Sequence, residues 1–147
     1  LADKGMGSIQ LMILLFRVAT KMAEAGIGFG TKAVDFLLII EEPEQNLHPM
    51  LQSKLADLFY ELNREYGFRF IIETHSEYLI RRSQVIVAKE RYGNEVDLRK
   101  NSPFKVIYFP GEGKLPYDML YRPDGKFSNE FGTGFFDEAS NLIFDIL

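Results

Sequence analysis

A run of five apolar residues, 36–40, is followed at once by Glu41, Glu42 and Pro43. An uninterrupted apolar run of this length is typical of a parallel strand that is buried on both faces of its sheet. In open α/β sheets, ligands bind just beyond the carboxyl ends of the strands. The pattern therefore predicts a buried strand that delivers two carboxylates to the edge of a sheet, where we expect the chemistry of this protein to take place.

The next apolar positions predict a helix and a second strand. Apolar residues recur at helical spacing from residue 49 or 50 to about residue 67. Residues 68–73 are rich in β-forming side chains and are followed by Thr-His-Ser. Ser76 is a suitable N-cap for a short helix over residues 77–82. We therefore expect His75 at a strand-to-helix turn, on the same sheet edge as the two glutamates.

A glycine-containing segment precedes the strands. Residues 3–10 are expected to form a loop that leads into a helix over residues 9–25, with Ser8 as its N-cap and Gly26 at its end. The backbone N–H groups of such a loop suit an anion such as phosphate, although a loop that only turns the chain fits the same residues. Residues 26–32 are also rich in glycine, but they lack the Gly-Lys-Ser/Thr of a phosphate loop and are interpreted as a connection.

The second half of the chain alternates between short apolar segments and polar or glycine-bearing ones. The elements that we predict there are strands at 84–89 and 104–109, a flexible loop between them at 90–103, a hairpin over 117–127 that turns at residues 123–126, and a terminal helix over 135–147. Strands and helices are therefore mixed along the whole chain, which indicates an α/β protein.

Composition narrows the classes of protein that fit this pattern. The 147 residues, 46% of them hydrophobic, are enough for one domain with a core of its own. The absence of cysteine excludes disulfides and thiolate-bound zinc. No apolar run approaches the roughly 18 residues of a membrane span, and no signal-peptide pattern opens the chain. We expect a cytoplasmic protein that does not enter a membrane.

Charge adds one further observation. The net charge of −4 gives no reason, over the whole chain, to expect nucleic-acid binding. Residues 77–105 nevertheless hold seven Lys or Arg against four acids, whereas residues 111–147 hold three against seven. Patches of this kind are most often solvated faces, and they can also serve as docking surfaces.

The order of these motifs resembles the C-terminal part of an ATP-binding-cassette (ABC) ATPase. A strand that ends in Glu-Glu-Pro, then Asn-Leu-His-Pro, then a strand that ends in Thr-His-Ser is similar to the SMC, RecF and overcoming-lysogenization-defect branch of bacterial AAA-type ATPases. The resemblance runs from residue 3 to about residue 89, and residues 117–147 are similar to the tail of uncharacterised ATPases of this branch. It implies a partial P-loop NTPase sheet with flanking helices over residues 1–109 and a C-terminal hairpin and helix of the same domain over residues 110–147.

The resemblance implies roles for the residues at the sheet edge. Residues 36–41 correspond to the Walker B strand, whose last carboxylate, here Glu41, holds Mg2+. Glu42 corresponds to the catalytic glutamate that orients and deprotonates the attacking water. His75 corresponds to the switch histidine that touches the γ-phosphate of ATP. Residues 45–48, with His48, correspond to the D-loop, which crosses the dimer interface in this class.

Residues 3–10 correspond more loosely to the signature motif, which binds the γ-phosphate of the nucleotide on the opposite subunit. Its nucleotide-binding positions in this chain are Gly5, Gly7, Ser8 and Gln10, with Ser8-Ile9 standing where the common form has Gly-Gly. No Gly-x-x-x-x-Gly-Lys-Ser/Thr occurs in the 147 residues. The chain is therefore interpreted as the C-terminal part of an ATPase that binds ATP and Mg2+, forms a homodimer and acts on DNA or an effector protein. Alone, it is expected to be inactive.

Two other functions fit some of the same residues. Glu41, Glu42, Glu44 and His75 are suitable ligands for a metal-dependent nuclease, since paired carboxylates at a sheet edge can bind two metal ions. Alternatively, the basic stretch 81–105 or the acidic tail docks a partner, and the protein is a non-catalytic interaction module.

Overall fold

The computed structural model describes residues 3–26, 36–90, 95–111 and 113–146. Its elements, in chain order, are α1 (Asp3–Glu24), β1 (Leu37–Glu41), α2 (Pro49–Tyr66), β2 (Arg69–Glu73), α3 (Glu77–Glu90), α4 (Glu95–Asn101), β3 (Val106–Tyr108), β4 (Tyr117–Met119) and α5 (Glu138–Ile146). The chain divides into two compact units, Leu1–Arg82 and Ser83–Leu147. The predicted α/β class is confirmed. Of the helices described, none combines the length and apolarity that crossing a membrane requires.

Unit 1 is built on two parallel strands joined by a helix. β1 pairs with β2 in a register that runs from Leu37 opposite Arg69 to Glu41 opposite Glu73. The crossover helix α2 begins as predicted, because the His48 side chain accepts a hydrogen bond from the Met50 N–H and Pro49 occupies the first turn. It ends at Gly67, which takes the left-handed conformation of a C-cap at φ 76°. The two carboxylates that end the strands therefore lie side by side.

The core of unit 1 covers one face of this sheet. Phe68 is fully buried between α1 and α2 with Val18 and Leu62, and Leu38 and Phe70 of the strands pack against this cluster. On the other face, Leu37, Ile39 and Ile71 are 49%, 71% and 55% exposed. The prediction of a strand buried on both faces is therefore wrong for the part of the chain that the structure describes, where no element covers that face.

The start of the chain is helical rather than a loop. α1 already includes residues 3–10, so Ser8 lies inside the helix and is not its N-cap. The predicted end is correct, since Gly26 follows the last turn with φ 64° and its N–H donates to the Ala23 carbonyl. The connection predicted at 26–32 lies, from residue 27 onward, outside the described residues.

The segment after β2 also differs from prediction. Ser76 caps the next helix as expected, because its hydroxyl accepts a hydrogen bond from the Leu79 N–H at 3.1 Å. That helix, α3, continues to Glu90, and the strand predicted at 84–89 is wrong. The β-branched residues 85–87 suggested a strand, but the buried positions Leu79, Ile80, Ser83, Ile86 and Val87 have helical spacing. The predicted loop at 90–103 contains α4.

Unit 2 is held by a small antiparallel sheet and an aromatic cluster. The strand predicted at 104–109 is observed as the shorter β3, which pairs with β4. Of the hairpin predicted at 117–127, the pairing across the turn is limited to one bridge, between Tyr121 and Phe127. Tyr121 packs with Val87 and Leu98, and its hydroxyl lies 2.6 Å from that of Ser83. Burial raises the pKa of the Tyr121 hydroxyl above its ordinary value. The terminal helix is confirmed, although it begins three residues later than predicted.

Candidate functional site

The site lies where β1 and β2 end. The Glu42 N–H donates to the Glu73 carbonyl at 3.0 Å, so the pairing of the strands continues one residue beyond β1. Glu42 then turns with a positive φ of 43°, a conformation that L-residues other than Asn and Asp seldom adopt. The turn breaks the alternation of side chains along the strand. The register partner of Glu73 is Glu41, and the Glu42 side chain also comes close to Glu73, so three carboxylates gather at this sheet edge.

His75 completes this group from the turn after β2. Its Nε2 lies 3.1 Å from Glu73 Oε1 and 3.8 Å from Glu42 Oε1. The ligand atoms of Glu42, Glu73 and His75 all fall within 4.8 Å of one another. The His75 side chain is 78% exposed and is therefore accessible to a bound molecule. The arrangement can hold a divalent cation between two carboxylates and an imidazole, or place the imidazole beside a carboxylate that handles a proton.

Two glutamines extend the site toward α1. Gln45 donates through Nε2 to Glu42 Oε2 at 3.2 Å, and Gln10 donates through Nε2 to Gln45 Oε1 at 3.1 Å. An open cavity of about 530 Å³ lies between these side chains, lined by Gln10, Glu41, Glu42, Gln45 and Glu73. The Glu42 carboxylate is thus fixed on one side by an amide and faces His75 with its other oxygen.

The loop after β1, residues 42–48, packs closely against α1. A Cβ added to Gly7 would lie 2.3 Å from the carbonyl oxygen of Asn46, so only glycine permits this approach. Asn46 itself has a positive φ of 59°, which asparagine tolerates. Both features indicate that the loop has one well-defined path over the first turns of α1.

Glu44 connects the same loop to the turn after β2. It is 7% exposed, and its Oε1 accepts hydrogen bonds from the Thr74 hydroxyl and from the His75 N–H, each at 2.7 Å. Its Oε2 is buried and has no hydrogen-bond partner among the described residues. Glu44 is absent from the lining of the cavity that holds Glu41, and it lines a neighbouring open cavity of about 330 Å³ with Glu42 and His75.

The structure brings some of the predicted site residues together and separates others. Glu41, Glu42 and Gln10 line one cavity, and His75 adjoins Glu42. Gly7 contacts the loop, whereas Gly5 has open space around it and the Ser8 side chain is exposed. The remaining predicted residue, His48, is exposed, and its Nδ1 caps α2.

Sequence reasoning missed Glu73 and the contacts of two other residues, since Glu44 is expected only as a metal ligand of a nuclease and Gln45 only as part of the D-loop. Glu73 had a usable signal, because two strands of equal length, each ending in glutamate, bring these ends together when they pair in parallel. Glu44 and Gln45 had no such signal. The hydrogen-bond donors to Glu44 lie 30 or more residues further along the chain, and the α1 residue that bonds to Gln45 lies 35 residues before it. A local sequence pattern does not indicate contacts between such distant positions.

Comparison with known proteins places part of the chain in a family. Residues 1–80 match the family model described as the AAA ATPase domain, and this segment contains α1, both parallel strands and the turn that carries His75. Searches of curated proteins and of solved structures returned no significant match. The matched segment covers more than half of the 147 residues, and the chain belongs to the AAA ATPase domain family.

Proposed function

We propose that this chain supplies the hydrolytic residues of an ATP site and belongs to the ABC-type branch that includes SMC, RecF and overcoming-lysogenization-defect proteins. The observation that supports this most is the approach of His75 to Glu42 across the ends of two parallel strands, with 3.8 Å between Nε2 and Oε1. Family membership supports an ATPase in general. The order of motifs, Glu-Glu-Pro before Leu-His-Pro before Thr-His-Ser, supports this branch in particular.

In this proposal Glu42 is the general base. Its carboxylate is half exposed and lies in an open cavity, where a water molecule can reach it. Gln45 holds one of its oxygens, and the other, which lies 3.8 Å from His75 Nε2, would accept a proton from that water. His75 is exposed beside it and is placed to donate a hydrogen bond to a phosphate oxygen.

The residues around the cavity suit Mg2+ and a nucleotide. Its lining includes three glutamates, Glu41, Glu42 and Glu73, and Mg2+ prefers oxygen ligands such as carboxylates. We propose Glu41 as the carboxylate that holds the ion or a water of its shell. When bound, Mg2+ neutralises the charge that develops on the phosphate oxygens during transfer. The side chains of this chain then orient the water and accept its proton.

A phosphate loop is needed as well, and these 147 residues do not contain its sequence. We propose that it is supplied by another part of the same ATPase domain. The exposed strand face with Leu37, Ile39 and Ile71 supports this, since parallel sheets are found almost only with both faces covered. Residues 1–109 and 110–147 would then be two regions of that one domain.

We further propose that the protein works as a homodimer. By resemblance, α1 of one subunit would approach the nucleotide of the other through Gly5, Ser8 and Gln10, and the loop with His48 would cross the interface. Gly7, which the resemblance also implies, instead packs against Asn46 of its own chain. The exposed side chains of Ser8 and His48 are consistent with such an interface. Since residues 3–10 are helical, the contact would be made by a helix N-terminus.

The proposal is tested with Glu42→Gln in the full-length protein. Without its base the variant should bind ATP together with Mg2+ but should not hydrolyse the ATP. The ATP-bound dimer should therefore accumulate. Light scattering should then show twice the mass of the nucleotide-free protein. Glu61→Gln, an exposed glutamate of α2, is the matched control and should behave as wild type. If the Glu42→Gln variant hydrolyses ATP at the wild-type rate, Glu42 is not the base.

One observation favours a metal-dependent nuclease as a second candidate, namely the group Glu42, Glu73 and His75. This set differs from the one expected from sequence, because Glu44 is buried and bonded to Thr74 and His75. A nuclease would require Glu73 as a ligand, whereas the ATPase proposal does not give it an essential role. Cleavage of DNA that depends on Mn2+ and is lost in Glu73→Gln would favour the nuclease.

The partner of the ATPase is proposed to be DNA or an effector protein. Arg99 and Lys100 are exposed at the end of α4 and are available to either. DNA binding that weakens with salt and is abolished by charge reversal at these two positions would identify DNA. Binding of a protein that does not depend on salt would identify an effector.

A further inference from the structure

Glu44 forms a connection between the two loops that carry the site. One of its oxygens accepts two hydrogen bonds, from the Thr74 hydroxyl and the His75 N–H, both at 2.7 Å. Glu44 itself lies in the loop after β1, two residues beyond Glu42. We infer that Glu44 is a positioning residue, which fixes the turn carrying His75 relative to the loop carrying Glu42. The inference rests on the proposed ATPase function for its effect on turnover.

A second connection runs parallel to the first. Gln52 of α2 donates through Nε2 to the Leu47 carbonyl at 3.0 Å and accepts through Oε1 from the Ser76 hydroxyl at 2.6 Å. Ser76 in turn caps α3. The loop after β1 and the turn after β2 are thus joined at both ends, by Glu44 near the site and by Gln52 further from it. Removal of Glu44 should therefore loosen the turn without unfolding it.

The geometry around Glu44 favours a carboxylate. Two donors converge on a single oxygen, and a charged acceptor forms stronger hydrogen bonds than a neutral one. The other oxygen is buried without a partner among the described residues, and an unsatisfied buried group costs about 1–3 kcal/mol. In this inference, the arrangement is explained by the need to hold His75 in one place.

The effect of Glu44 on the site follows from its hydrogen bond with the His75 backbone N–H. His75 has no helix or strand to fix it, since it lies between the end of β2 and the start of α3. Its N–H is held by Glu44 and its ring approaches Glu42 and Glu73. Loss of the Glu44 carboxylate would free the turn, and a misplacement of about 1 Å can cost about a hundredfold in rate.

Hydrogen exchange at the His75 amide tests the connection without reference to ATP. In Glu44→Ala, the amide loses its acceptor and should exchange about ten- to a hundredfold faster than in wild type, as expected for a lost hydrogen bond to a charged group. Glu61→Ala, at an exposed position of α2, is the control and should leave the exchange unchanged. Equal exchange in the two variants would overturn the inference.

Steady-state kinetics of the full-length protein test the effect on turnover. Glu44→Ala should lower kcat about ten- to a hundredfold while KM for ATP changes less than about threefold, because in this inference the residue acts through the position of His75. A raised KM with an unchanged kcat would contradict a positioning role. Wild-type protein that does not hydrolyse ATP would refute the proposed function, and the exchange measurement would still decide whether Glu44 holds the turn.

A second pair of variants covers the case in which Glu44→Ala fails to fold. Thr74→Val removes one of the two donors to Glu44, and Thr74→Ser keeps the hydroxyl. We expect reduced kcat in Thr74→Val and recovery of most of it in Thr74→Ser. Equal kcat values in the two variants would contradict the inference.

Discussion

Units 1 and 2 use their side chains in different ways. In unit 1, polar side chains converge at the ends of two strands, and hydrophobic side chains such as Leu37 and Ile39 are left exposed on the sheet. In unit 2, aromatic rings pack on one another around Tyr108 and Phe131, and the ion pair between Lys105 and Asp118 is exposed. Unit 1 therefore combines a polar site with an uncovered hydrophobic sheet face, whereas the described part of unit 2 combines an aromatic cluster with exposed apolar side chains on α5.

The difference follows from how the strands are paired. Parallel strands end at the same edge, so the residues after β1 and β2 must meet there. The antiparallel strands β3 and β4 end at opposite edges, and their end residues do not gather in one place. Substitutions of the polar residues at the ends of β1 and β2 are thus expected to change activity, and substitutions in the packed part of unit 2 to change stability.

The largest expected effect is that of His75→Ala on ATP turnover. Removing one hydrogen-bond donor that acts on developing charge typically lowers kcat about 10²- to 10³-fold. Because His75 is 78% exposed, the free energy of unfolding should change by no more than about 0.5 kcal/mol. Turnover and thermal unfolding of the same preparation are measured together. A fall in turnover of less than threefold would remove His75 from the site.

Glycine 125 gives the corresponding test in unit 2. Gly125 has φ 79°, and a Cβ there would lie 2.2 Å from the Gln84 carbonyl oxygen. Gly125→Ala should combine backbone strain of about 1–2 kcal/mol with overpacking of about 1–3 kcal/mol. Gly134→Ala, at φ 94° with open space around it, should show the strain alone. Denaturant unfolding measures the free energy of unfolding of both variants. If the two variants lost equal free energy, the Gln84 carbonyl would not lie as close to Gly125 as described.

Glycine 7 tests the packing of α1 on the loop after β1. Gly7→Ala would place a Cβ 2.3 Å from the Asn46 carbonyl oxygen and should destabilise unit 1 by about 1–3 kcal/mol. Gly5→Ala, in the same helix but with open space, should instead stabilise it by about 0.5–1 kcal/mol, because alanine favours helix. A stabilising effect of both substitutions in denaturant unfolding would contradict the described path of the loop.

The smallest expected effect concerns the pH dependence of stability through Tyr121. Since the pKa of this buried hydroxyl is raised in the folded protein, its contribution is fully present below the ordinary tyrosine pKa of 10.0 and is lost as the pH rises above it. Tyr121→Phe should lower stability by about 1 kcal/mol at neutral pH, through the lost hydrogen bond to Ser83. It should also reduce the loss of stability above pH 10. If Tyr121→Phe lost stability above pH 10 as steeply as the wild type, ionisation of Tyr121 would not be the cause of that loss.

Much of the site could be predicted from sequence because it depends on local signals. Three local signals each mark the end of a strand or helix, namely the apolar run before Glu41, the cap at Ser76 and the β-rich segment before His75. The parallel pairing of β1 with β2 then brings these ends to one edge of the sheet. This is why His75 was correctly expected on the same edge as Glu42.

What could not be predicted depends on contacts between distant segments. Burial of residues 83 and 86–87 on one side of α3 overrides the local preference of a β-branched run for a strand. The role of Glu44 depends on Thr74, 30 positions further along the chain, and no periodicity connects the two. Exposure of Ile39 depends on which elements cover the sheet, and an apolar run alone does not contain that information.

The central proposal is that Glu42 activates water for ATP hydrolysis beside His75. Its most direct test is phosphate release from ATP and Mg2+ by the full-length protein, with Glu42→Gln and Glu61→Gln compared in one experiment. We expect wild type and Glu61→Gln to release phosphate at similar rates, and Glu42→Gln to be slower by about 10²-fold or more while still binding ATP. Phosphate release by Glu42→Gln at the wild-type rate would contradict the account.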